Sequence, residues 1–237
     1  MGTLKISSLE VEIDRKDIKN LHLSVHPPEG RVRVAAPLDV DDDEVRAYVI
    51  SKLGWIKKHQ ESLVTQFRQS PRHYVTGESH YVGGQRYLLD VVELNGINEI
   101  EFHGKGTLRM KVPNKLDLQK KTDLMERWLR VRLSEKLDEM VPRWAAKMGV
   151  EVAEWKIKKM KTKWGSCNHK QKRIWLNLEL AKQPDRCVEY IVVHELAHLI
   201  EPTHNETFVA VLNEFMPGWS ELKQELNAVP LETTQEG

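Results

Sequence analysis

Residues 190–208 read YIVVHELAHLIEPTHNETF. The stretch opens on Tyr190-Ile191-Val192-Val193, as a core helix does. It then carries three histidines and three glutamates. A charged side chain on a buried helix needs a partner, because leaving water unpaired is costly. His194-Glu195-Leu196-Ala197-His198 is an H-E-x-x-H sequence. Residues four apart on a helix sit one turn apart on one face, about 5–6 Å between Cβ atoms. Two imidazoles so placed can converge on one ion. Zinc accepts imidazole nitrogen at about 2.0–2.1 Å, and a catalytic zinc takes three protein ligands with a fourth place for water. His204 supplies a third ligand, with Pro202 letting the chain leave the helix and turn back. Glu195, beside a ligand, can face the bound water. Zinc lowers the pKa of such a water to about 7, and a carboxylate can take its proton as attack proceeds. H-E-x-x-H alone also arises by chance on a polar helix face. The apolar run before it, the third histidine and Phe208 four residues beyond His204 favour a metal site. Zinc is the expected divalent ion, though manganese, cobalt or nickel can occupy such ligands in vitro.

The composition narrows the class. With 237 residues, 40% hydrophobic and 30% charged, the chain is expected to be a soluble globular protein able to bury a core. A net charge of +1 names no partner by itself. Two cysteines, Cys167 and Cys187, make no disulfide framework and fit a reducing cytoplasm. No apolar h-region opens the sequence, and no window reaches the roughly 18 apolar residues of a membrane span. No internal repeat is evident in the residues.

The fold class reads as α/β of the α+β kind. Leu21, Leu23 and Val25 alternate, then Val32, Val34 and Ala36, around Pro27-Pro28-Glu29-Gly30, a hairpin with a long loop. One helix follows, with acids at its start and Val45, Tyr48, Val49, Leu53 and Ile56 at helical spacing. Residues 74–113 return to strands, with turns at Gly83-Gly84 and at 103–106. A long amphipathic helix is expected over 119–148. Its face is read as Leu124, Trp128, Val131, Leu137, Met140 and Trp144, with Pro142 kinking or ending it and Gly149 as its stop. Short strands follow at 155–158 and 174–178, then the H-E-x-x-H helix from Asp185 and a helix at 205–215. The expected division is a β-rich unit with one helix over 1–118, a catalytic unit over 119–228 and a tail over 229–237.

A second stretch joins the first: Met160-Lys161-Thr162-Lys163-Trp164-Gly165-Ser166-Cys167, followed by Ile174-Trp175-Leu176-Asn177. With HELAHLIEPTHNETF and Met216-Pro217-Gly218-Trp219, this resembles the YgjP-like metal-dependent hydrolases, over about residues 20 to 225. More distantly it resembles SprT-type proteases. The resemblance implies a zincin-like catalytic half, a metal on His194, His198 and His204, and Glu195 as general base. It also implies a strand beside the active helix that pairs with extended peptides, for which 174–178 is the candidate and Asn177 a weak contact. The spacing resembles the H-E-x-x-H-x-x-G-x-x-H pattern but departs from it at Glu201, where that pattern has glycine. Glu201 is thus a competing ligand to His204.

From Lys156 to Arg173 the chain holds eight basic residues and no acid. Lys161 and Lys163 could meet an anionic ligand: a nucleotide, a nucleic acid or an acidic peptide. Trp164 could stack on a base, or be core. The same residues could form a solvated strand pair. The favoured reading is a metallopeptidase acting on a peptide or protein. The alternatives are phosphoanhydride hydrolysis on a nucleotide and a nucleic-acid-associated protein with a structural metal. No membrane partner is expected, and the residues give no oligomeric state.

Overall fold

A computed structural model describes residues 2–6, 9–26, 30–65 and 72–227. The expected tail at 229–237 and the hairpin tip at 27–29 lie outside them. The chain divides near residue 68 into two units.

The first unit is a four-stranded sheet with two helices. Its strands are β1 (Gly2–Ile6), β2 (Leu9–Lys16), β3 (His22–His26) and β4 (Arg31–Pro37), in the order β1-β2-β4-β3. The outer pairs are antiparallel and the central pair β2–β4 is parallel. Alternation puts Val11, Ile13, Val32, Val34 and Ala36 on one face. There they pack with Val45, Val49 and Ile56 from the helices. The single helix expected here is two, α1 (Asp42–Ser51) and α2 (Leu53–Thr65), interrupted at Lys52.

The second unit opens with the same plan. Its strands β5 (Ser79–Val82), β6 (Gln85–Glu93), β7 (Glu99–His103) and β8 (Thr107–Val112) run in the order β5-β6-β8-β7. Again the outer pairs are antiparallel and the central pair is parallel. The likeness extends to side chains. Arg33 reaches Asp14 at 2.6 Å, and Arg109 reaches Asp90 at 2.8 Å, each across its parallel pair. Pro37 and Pro113 each precede by four residues an aspartate that caps the next helix. Asp41 accepts from the Glu44 amide and Asp117 from the Lys120 amide, both at 2.8 Å. A repeat absent from the letters is therefore present in the topology.

The second copy leads into α3 (Leu118–Met148), which runs unbroken through Pro142. Both Pro142 and Asp138, whose carbonyl loses its helical donor, lie on the exposed face, so water can meet that carbonyl. Gly149 ends the helix at φ 66°. The buried ridge is Met125, Leu129, Leu133, Leu137 and Val141, at a strict spacing of four. Of the expected face, Leu124, Leu137 and Trp144 are buried and Trp128 and Met140 pack partly buried against the same core, while Val131 is 57% exposed. Beyond α3 lie β9 (Glu154–Lys158), β10 (Gly165–Asn168) and β11 (Arg173–Asn177), in the order β10-β11-β9. A 3-10 turn (Leu178–Lys182) follows, then α4 (Asp185–Ala197), α5 (Glu206–Phe215) and α6 (Trp219–Asn227).

The boundary expected at 118/119 falls inside this second unit. The β5–β6 turn explains why. The amides of Gly83 and Gly84 donate to the carbonyls of Ala181 and Lys182, each at 2.9 Å. Gly84, at φ 80°, lies so near Pro184 that a Cβ would come within 3.0 Å of its ring nitrogen. Leu89, Leu108 and Met110 of the sheet share one core with Leu133 and Leu137 of α3 and Val192 of α4.

Asn177, at the end of β11, is fully buried and braces the approach to the site. Its amide nitrogen donates to the carbonyls of Met160 at 2.9 Å and Lys163 at 2.7 Å. Its oxygen accepts from the amides of Met160 at 3.3 Å and Glu179 at 3.2 Å. Asn177→Ala strands these backbone groups and is expected to cost about 1–3 kcal/mol. Urea unfolding followed by tryptophan fluorescence checks this, since six of the seven tryptophans lie beyond residue 68. A change below about 0.5 kcal/mol, the usual range for a neutral surface site, would contradict the brace.

Candidate metal centre

Helix α4 carries His194 and Glu195, and His198 is its C-cap. The chain then winds one further turn, with the amides of Ile200 and Glu201 donating to the Ala197 carbonyl at 3.0 and 2.9 Å. Next it reverses. The Glu201 carboxylate accepts from the Thr203 amide at 3.0 Å and from its hydroxyl at 2.8 Å. Asn205 caps α5 by accepting from the Phe208 amide at 3.0 Å. This turn delivers His204 to the face of α4. Glu201 builds the turn with its carboxylate and stands outside the histidine group, so it does not compete as a ligand.

One ring nitrogen each from His194, His198 and His204 lies within 4.8 Å of the others. The Nε2 atoms of His194 and His204 are 3.2 Å apart. Two nitrogens on one tetrahedral zinc would be separated by about 3.3 Å. Phe208 packs against all three rings, with centroids 4.6–5.0 Å away. The Nδ1 of His198 is 3.3 Å from the Glu201 carbonyl. Donation there leaves Nε2 free, the second contact that orients a ligating imidazole. Burial, then the neighbouring His198 and His204, push His194 down to about 3, so its ring is neutral. Burial pushes His198 down too. Three imidazole nitrogens converging in this way fit a divalent cation.

Glu195 lies against Gly165 of β10. It is 4% exposed, and its Oε2 has no hydrogen-bond partner among the described residues. Burial pushes its carboxyl up to about 8, and the charge of Lys163 pulls the other way. A cation on the histidines would act in the same sense as Lys163. Cys167 is pushed up to about 11 by burial and by the Glu195 charge, so its thiol stays protonated and is no nucleophile.

The histidines and Glu195 line a cleft of about 480 Å³, in the range that holds a ligand rather than a lone water. Lys163, Trp164 and Gly165 form part of its wall, with Tyr190 and Lys223. Asn177 is spent on the brace, and Lys161 does not line the cleft. The candidate peptide strand also shifts. β11 is central, paired with β9 and β10 on its two sides, so it has no edge to offer. β10 is an edge strand of that sheet, and Gly165, Ser166 and Cys167 line the cleft.

Four of the eight basic residues in this segment pair with acids from elsewhere in the unit. Lys156 and Arg173 pair with Glu154, Lys159 with Glu126 and Lys172 with Glu151. Lys158 and Arg173 lie over Trp175, 4.4 and 4.9 Å from its centroid. Such a segment is not a bare stripe for a phosphate backbone, and the nucleotide and nucleic-acid readings lose their support. Lys163 makes no ion pair among the described residues, and neither does Lys223, whose ammonium is 5.7 Å from the Trp219 centroid. Lys223 escaped sequence reading because α6 did. Tyr190 was legible, one turn before His194 on the same helix face.

No curated protein matches the chain. Among solved structures it is similar to the metallopeptidase zymogen abylysin of Pyrococcus abyssi, with a TM-score of 0.36 and 21% identity, covering 38% of this chain and 90% of that one. It is likewise similar to the metallopeptidase zymogen jannalysin of Methanocaldococcus jannaschii, with a TM-score of 0.35 and 23% identity, covering 38% of this chain and 92% of that one. Among the described residues no helix is long and apolar enough to cross a membrane. The family model for the YgjP-like metallopeptidase domain matches residues 19–229, and the chain belongs to that family.

Proposed function

We propose that the chain is a zinc-dependent peptidase in which His194, His198 and His204 hold the metal and Glu195 handles the proton. The observation that carries this reading is the meeting of three histidine nitrogens beside a buried carboxylate whose Oε2 has no hydrogen-bond partner among the described residues. Bound zinc supplies Lewis acidity, polarising the scissile carbonyl and easing deprotonation of water. The protein's own part is positional and protolytic. The Glu195 carboxylate receives the proton of the attacking water and passes it to the leaving amine. The orphaned Oε2 is available for that transfer, and the turn at 199–204 keeps His204 in place. An extended peptide can add to the open edge of β10, its main chain pairing there as a further strand. Trp164, at the mouth of that strand, offers an apolar wall to the peptide.

The two unpaired lysines point to a preference among peptides. Lys163 lies within electrostatic reach of Glu195, and Lys223 of His194. Among the described residues Glu195 is the single acid on the cleft wall. A substrate with an aspartate or glutamate near the scissile bond suits such a cleft better than one with a lysine. The reading is of a peptidase favouring acidic peptides, active in the cytoplasm.

Two outcomes are expected. Glu195→Gln should lower kcat on a fluorogenic peptide by about 100-fold or more while retaining metal, as measured by elemental mass spectrometry. Retained turnover would remove Glu195 as the proton acceptor. In a peptide library varied around the scissile bond, kcat/KM should favour acidic over basic residues, more so at low salt. Lys163→Glu with Lys223→Glu should reverse the order, and an unchanged order would dismiss the lysines as selectors.

A further inference from the structure

Gly165 belongs to the Lys163-Trp164-Gly165-Ser166-Cys167 stretch, and its backbone does not explain why it is glycine. It opens β10 and pairs in register with Leu176. Its φ lies outside the left-handed region that nine other glycines of the chain adopt. Any residue could take that backbone conformation. The reason lies in space. A Cβ at this position would come within 2.7 Å of both Cδ and Cγ of Glu195, and nearer still to Oε1. The three nearest atoms all belong to that one side chain. Since Cγ is among them, turning the carboxylate about its last bond would not clear the contact. The whole side chain would have to move, and at 4% exposure it has little room to do so.

We propose that Gly165 is the positioning residue for Glu195: its missing side chain is the seat in which the Glu195 carboxylate lies. Helix α4 then fixes the root of Glu195, and the α-carbon of β10 fixes its far end. The edge strand open to an extended peptide and the seat of the proton acceptor are thus one piece of backbone. The catalytic consequence rests on the proposed role of Glu195. The steric seat itself does not.

The experiment is Gly165→Ala in two backgrounds, the full chain and Glu195→Ala, read by melting temperature, metal content and peptide hydrolysis. In the full chain the substitution should lower the melting temperature by a few degrees through overpacking. With Glu195→Ala the clashing atoms are gone, and that loss should vanish. Metal content should stay at the parental level. The kcat should fall about 100-fold with KM within a few-fold, the signature of a displaced reacting group. Should Gly165→Ala alone fail to fold, recovery in the double variant supports the seat, and equal failure overturns it. Equal melting losses in both backgrounds, or a kcat within two-fold of the parent, overturn the proposal. A parent chain that cuts no peptide would remove the peptidase reading, while the melting comparison would still decide the seat.

Discussion

The second unit is organised around the burial of His194 and Glu195 on a helix whose other faces are core. Val192, Val193 and Leu196 beside them are fully buried. Such a helix normally excludes ionisable groups, because charge in a low-dielectric interior is costly unless something compensates it. Here the imidazole is held neutral and the carboxyl is pushed up, both chiefly by desolvation. Opposed shifts in one cleft mark a candidate functional site. A divalent cation on the histidines would resolve the conflict: it would take the imidazole nitrogens as ligands and favour the ionised carboxylate.

The surroundings serve that one arrangement. The Glu201 turn and the Asn205 cap return His204 to the helix. Phe208 supports the three rings from below. Asn177 ties the 160–163 segment to the end of β11, so the strand that follows, β10, meets Glu195 at a defined height. The repeated sheet contributes at longer range. Its second copy docks a glycine turn on the 3-10 segment that leads into α4. The first copy ends in α1 and α2, has no counterpart of the histidine group among the described residues, and forms a core of its own.

Much of this was legible in the residues, for reasons that can be named. H-E-x-x-H spacing puts two histidines on one face because helical geometry is rigid over one turn, and His204, past a nearby proline break, is brought to them. The hairpins showed themselves by alternation and by glycine turns. What escaped depends on contacts distant in sequence. The face of α3 was legible except that Leu129 and Leu133, which are buried, were passed over and Val131, equally apolar, is left in water. The repeat escaped because it lies in strand order and capping positions, with few shared letters. Asn177 looked like a substrate contact because a polar residue at a strand end offers the same signal as a backbone brace. The basic run looked bare because Glu126, Glu151 and Glu154, which pair with four of its eight basic residues, sit outside it in sequence. Gly165 stood inside a quoted motif, but only the neighbouring carboxylate shows why it must be small.

The central claim is that three histidines hold one metal ion. Its most direct test is the metal content of the purified chain by elemental mass spectrometry, beside that of His204→Ala. The account predicts close to one zinc per chain, lost or greatly reduced in the variant. A chain that carries no metal and takes none up on addition, or a variant that binds it as well as the parent, would contradict the account.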